Sequence, residues 1–136
     1  MDSRAISVLL ADEHKMYREA LSLTFAHSSS LRVIGQCGNG PEVLSEYEKL
    51  HPDILILDIT MQSMRGFTTT EQLLARFPDA KIIWMSTFYN NFFYNKLAES
   101  GVKGYMTKSM SHHLMIEAIH KVFNGGTYFC DRPEKS

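Results

Sequence analysis

Asp53-Ile54-Leu55-Ile56-Leu57-Asp58 decides how the rest of the chain is read. An unbroken aliphatic row stands between two carboxylates, with no alternation of apolar and polar positions. A strand with one wet face alternates; a strand covered on both faces does not, and such strands belong to parallel sheets sandwiched by helices. Ile6–Ala11 and Lys81–Ser86 have the same character. Leu31–Gly35 and Val102–Met106 are shorter and more polar, and read as edge strands. Between these runs the apolar spacing turns helical. Tyr17, Leu21 and Phe25, with Ala20, Leu23 and Thr24, make a broad stripe over residues 14–27. Val43, Leu44, Tyr47 and Leu50 end at His51-Pro52, and Leu73, Leu74 and Phe77 end at Pro78. Tyr94, Leu97 and Ala98 precede Gly101, a residue suited to a left-handed helix stop. A last helix carries Leu114, Ile116, Ala118, Ile119, Val122 and Phe123 before Gly125-Gly126. Five strands and five helices in strict alternation predict a doubly wound parallel α/β sheet with right-handed crossovers.

Composition narrows the function classes. The chain has 136 residues, enough for one domain, and its 44% hydrophobic content supports a core. Its 14 basic and 15 acidic residues leave a net charge of −1, without the basic excess of a direct nucleic-acid binder. The longest apolar runs, such as Val8-Leu9-Leu10-Ala11, fall far short of the roughly 20 residues that span a bilayer. Met1–Ser7 lacks the apolar stretch of a secretory signal. Cys37 and Cys130 are far apart and suggest neither a disulfide framework nor a zinc site, so the expected setting is the reducing cytoplasm.

In a doubly wound sheet ligands bind beyond the carboxyl ends of the strands. Those ends deliver Asp12-Glu13, Asp58, Ser86-Thr87 and Thr107-Lys108 to one rim. Three carboxylates that close would repel unless a cation lay among them. Oxygen ligands at this density suit Mg²⁺, which also binds phosphate, and Lys108 and Ser86 could hold the remaining phosphoryl oxygens. With no His or Cys counted at the strand ends, a softer metal is not expected.

The pieces Leu10-Ala11-Asp12-Glu13-His14, Leu57-Asp58-Ile59-Thr60-Met61 with Gly66 downstream, Met85-Ser86-Thr87 and Gly104-Tyr105-Met106-Thr107-Lys108 together resemble the receiver domain of bacterial two-component response regulators. The resemblance covers roughly residues 6–129. The start through Leu21 and the closing Gly125-Gly126-Thr127-Tyr128 look like the LuxR/NarL type. It implies a flavodoxin-like five-stranded sheet in the order 2-1-3-4-5, and a receiver over residues 1–130. Residues 131–136 would then be a polar tail or the start of a linker to an effector domain outside this chain.

The resemblance also implies roles. Asp58 accepts a phosphoryl group from a histidine kinase or phosphotransfer protein. Asp12, Glu13, Asp58 and the Thr60 backbone carbonyl hold Mg²⁺, Lys108 pairs with the phosphate, and Ser86 and Tyr105 move together as the switch. A phosphorylation-dependent homodimer and control of transcription follow from the family, with no direct nucleic-acid or membrane contact by this chain. Two positions depart from the pattern: Gln62 stands where Pro is common, and Glu13 where Asp is commoner.

Other readings are set beside this one. Asp12 and Asp58 taken singly are ordinary helix N-caps. A stand-alone receiver acting by protein contact is one alternative. Another is an aspartyl-nucleophile phosphatase, which wants a second Asp where this chain has Thr60. No phosphate-cradling glycine loop is present, since Gly38-Asn39-Gly40 is too short. His112, His113 and His120 read as surface or capping residues. Within Phe88–Tyr94, Phe92 is expected to face outward with Tyr89 and Phe93 at its flank. These aromatics either form a partner surface or pack on one another.

Overall fold

A computed structural model describes residues 4–59 and 66–130. Its strands are β1 (Ile6–Ala11), β2 (Leu31–Cys37), β3 (Ile54–Asp58), β4 (Ile82–Ser86), β5 (Gly104–Thr107) and β6 (Tyr128–Phe129). The helices are α1 (Lys15–Ala26), α2 (Gly40–Leu50), α3 (Gly66–Arg76), α4 (Asn91–Ser100) and α5 (His112–Phe123). The sheet order is β2-β1-β3-β4-β5-β6, and every pairing is parallel.

The five-strand expectation is therefore corrected to six. Tyr128 and Phe129 pair with Gly104 and Tyr105, so β5 is interior and only β2 of the two expected edge strands is one. A two-residue strand has no periodicity to read; it exists because β5 offers it an unpaired edge.

Side chains alternate along each strand into two cores. Leu9, Ala11, Leu55, Leu57 and Trp84 meet Val43, Tyr47, Leu73 and Leu97 from α2, α3 and α4. Val8, Leu10, Ile54, Ile56, Ile83 and Met85 meet Leu21, Phe25, Met115, Ala118, Ile119 and Val122 from α1 and α5. Each such fully buried large side chain contributes about 1.5–3 kcal/mol of apolar transfer. Not every apolar position of the expected stripes is inside. Leu23 is 67% exposed, and Ala20 and Ala98 are also on the surface. α1 and α4 bury narrower faces than their composition allows.

Local chemistry sets the helix ends. Asn39 accepts the Glu42 N–H (2.9 Å) while the Glu42 carboxylate accepts the Gly38 N–H (2.7 Å), a reciprocal cap at the start of α2. Asn90 and Ser111 cap α4 and α5 in the same sense, through the N–H groups of Phe93 and Leu114. Gly101 closes α4 at φ 86°, as its position suggested. Gly66 opens α3 against Ile59; a Cβ there would lie 2.7 Å from the Ile59 Cα, so only glycine allows this approach beside Asp58.

Candidate functional site

The strand ends are locked in register by backbone bonds that continue past the strands. Asp12 N–H donates to the Cys37 carbonyl (2.9 Å), Ile59 N–H to Met85 (3.0 Å) and Lys108 N–H to Ser86 (2.8 Å). Asp12, Asp58, Ser86 and Lys108 therefore emerge on one rim, as parallel register requires.

Asp12 and Asp58 are 5% and 1% exposed. The Lys108 ammonium lies 2.7 Å from Oδ2 of each, bridging two buried carboxylates. Burial alone would lower the Lys108 pKa, but hydrogen bonds to Asp12 and Asp58, reinforced by their charges, hold it above the usual lysine value. Two carboxylates against one ammonium leave a net negative charge in a desolvated place, an environment that fits a divalent cation.

Two further residues border these carboxylates among the described residues. The Tyr17 ring lies 4.3 Å from the Lys108 ammonium and closes the α1 side. Burial, with the charges of Asp12 and Asp58, pushes its phenol up to about 12. Asp12 Oδ1 accepts the His14 backbone N–H at 2.8 Å, and the His14 ring folds back so that Nδ1 sits 3.1 Å from the same oxygen. One ligand atom each from Asp12, His14 and Asp58 lie within 4.8 Å of one another.

Glu13 is exposed and outside that group; Thr60 lies outside the described residues. The sequence reading missed the positions of His14 and Tyr17. Their signals were a ring two residues past a strand-end Asp, and a tyrosine at the head of the Leu21–Phe25 stripe.

Ser86 and Tyr105 form a continuous hydrogen-bond chain. Asn90 N–H donates to Tyr105 Oη (3.0 Å), Tyr105 Oη lies 2.7 Å from Ser86 Oγ, and Ser86 donates to the Phe88 carbonyl (2.7 Å). With the Ser86 proton committed to Phe88, the Tyr105 hydroxyl is the donor to Ser86. Tyr105 is fully buried, with its ring turned in toward the end of β4. This chain ties the end of β4, the turn into α4 and β5 to one hydroxyl.

The aromatic stretch satisfies both readings in part. Phe92 is 57% exposed, yet its ring lies 5.9 Å from Phe67 and 6.0 Å from Phe93. Tyr89 is half-buried, 6.2 Å from the Tyr105 ring. Phe88, 76% exposed, is the freest of the group. His112 and His113 are on the surface as expected, His113 pairing with Glu117 at 3.0 Å, whereas His120 is half-buried and reaches Ser30 at 2.9 Å.

The fold and this rim define the class: a doubly wound module with an acidic, lysine-bridged pocket at the strand ends. Residues 8–120 match the response regulator receiver domain, and the chain belongs to that family. It is 33% identical over 123 residues to the response regulator GacA of Pseudomonas viridiflava, covering 90% of this chain and 58% of that protein. It is 27% identical over 128 residues to the transcriptional regulatory protein DegU of Brevibacillus brevis, covering 94% and 54%. The chain thus spans little more than half the length of these curated relatives. A two-component response regulator of the LuxR family from Aurantimonas has the same fold, at a TM-score of 0.86 and 23% identity over 92% of this chain and 89% of that one. None of the described helices is long and apolar enough to cross a membrane.

Proposed function

We propose that this receiver accepts a phosphoryl group on Asp58 from a histidine kinase or phosphotransfer protein in the cytoplasm, with Mg²⁺ held by Asp12, Asp58 and Glu13. The observation that carries this reading is the Lys108 ammonium set 2.7 Å from both buried carboxylates. A carboxylate oxygen of Asp58 attacks phosphorus, the bond from phosphorus to the donor nitrogen breaks, and an acyl phosphate forms. Such transfer requires positioning and charge neutralisation more than a general base. The bound cation would supply neutralisation of the equatorial oxygens. Lys108, held charged by its neighbours, pairs with a phosphoryl oxygen as the group arrives. The Thr60 carbonyl, a further ligand by family resemblance, lies outside the described residues.

Ser86 is the natural sensor. To bond a phosphoryl oxygen its hydroxyl must leave the Phe88 carbonyl, and the Tyr105–Asn90 chain rearranges with it. The change reaches α4 and the exposed Phe88 and Phe92, which would then meet a second copy of the chain. The relatives' greater length, and the name of DegU as a transcriptional regulatory protein, support an output in transcription through a further domain beyond this receiver. The domain's own chemistry is limited to acquiring and losing the phosphoryl group.

Incubation with Mg²⁺ and acetyl phosphate should add one phosphoryl mass to the wild type and none to Asp58→Asn. An equal gain in both would move the acceptor elsewhere.

A further inference from the structure

We propose that His14 is a nitrogen ligand in the cation pocket and makes it favour Mn²⁺ and later first-row ions over Mg²⁺. This rests on the reading of the acidic pocket as a divalent-ion site. Asp12 divides its oxygens between two sides: Oδ2 faces Lys108, whereas Oδ1 faces the His14 ring. The distance from Oδ1 to Nδ1 is 3.1 Å. Adjacent ligands of an octahedral ion with bonds of about 2.1–2.2 Å lie about 3.0–3.1 Å apart, so this pair already spans one edge of such a polyhedron.

Asp58 offers the third atom. All of these ligand atoms fall within 4.8 Å, close to the roughly 4.3 Å across the same octahedron. In the ion-free site the Asp12 carboxylate can only accept, so Nδ1 carries the proton that faces it. An arriving cation displaces that proton to solvent, the neutral ring keeps its proton on Nε2, and the freed Nδ1 lone pair takes the ion, which can enter from solvent because the ring is 64% exposed.

Imidazole discriminates where carboxylate does not. Mg²⁺ prefers oxygen and gives up water reluctantly, whereas Mn²⁺ and the ions after it gain from nitrogen. The His14 nitrogen joins the carboxylate ligands and replaces none of them, and takes a position that water would otherwise fill. The local turn positions the ring: the Asp12 carboxylate captures the His14 backbone N–H at 2.8 Å, which fixes the backbone from which the imidazole returns.

The test uses the whole chain with Mn²⁺ as the probe. Pulsed electron paramagnetic resonance of bound Mn²⁺ should show imidazole ¹⁴N modulation in the wild type, absent from His14→Gln. Glutamine keeps a hydrogen bond to Asp12 but removes the nitrogen ligand, and the exposed position protects the fold. Calorimetry should show Mn²⁺ affinity falling about tenfold in His14→Gln with Mg²⁺ affinity unchanged. Asp12→Asn should abolish both.

Bound Mn²⁺ without a nitrogen signal in the wild type, or equal losses for both ions in His14→Gln, would overturn the role of His14 and leave the pocket reading standing. Failure of the wild type to bind either ion would overturn both.

Discussion

Replacing Lys108 by methionine tests whether the ion bridge holds the site together. Lys108→Met keeps the length of the side chain and removes its charge. The ammonium now lies 2.7 Å from each Oδ2, so these oxygens are at most about 5.4 Å apart. Two unit charges at that separation repel by about 3 kcal/mol at an effective dielectric of about 20. Removing one partner from a buried ion pair has a comparable effect, about 3–5 kcal/mol. For a domain of this size the melting temperature should fall by roughly 10–15 °C. The assay is urea and thermal unfolding, first in chelator and then in millimolar Mg²⁺. Because the loss is electrostatic, Mg²⁺ should return most of it, and should bind the variant more tightly than a wild type in which the ammonium competes. A variant as stable as the wild type in chelator would refute the bridge. A loss of equal size with and without Mg²⁺ would show that packing, not charge, was removed.

Tyr105→Phe deletes the hydroxyl shared by Ser86 and Asn90 N–H; the stranded groups should lower stability by about 1–3 kcal/mol in urea, and a loss below about 0.5 would contradict the hydrogen-bond chain. Gly66→Ala should destabilise by about 1–3 kcal/mol in a thermal melt, since its Cβ would meet the Ile59 Cα at 2.7 Å. Burial lowers the Lys108 pKa, but the Asp12 and Asp58 interactions overcome it and the folded value is raised above 10.5. Its contribution is therefore complete below the unfolded value and is lost as pH rises through the folded one. The urea midpoint should hold from neutral to about pH 10 and then fall more steeply in the wild type than in Lys108→Met; parallel curves would contradict this.

The strand-end residues were legible because continuous apolar runs give way abruptly to polar ones, and parallel register does the rest. Asp12, Asp58, Ser86 and Lys108 could thus be gathered on one rim from residues remote in sequence. Tyr128-Phe129 was not legible as β6, since its pairing depends on an edge that only the folded β5 presents. Leu23, Ala20 and Ala98 extend apolar stripes that the helices do not bury, because stripe width says nothing of how a helix leans on its sheet. His14 was read as part of a motif rather than as a side chain in the pocket. Its ring reaches Asp12 through a turn whose geometry the residue order does not reveal.

The most direct measurement is reductive trapping of the acyl phosphate. After incubation with Mg²⁺ and acetyl phosphate, borohydride converts a phosphorylated aspartate to homoserine, and tandem mass spectrometry locates it. The account predicts that conversion at residue 58 and nowhere else, dependent on Mg²⁺. Trapping at another carboxylate, or none at all with Mg²⁺ present, would contradict it.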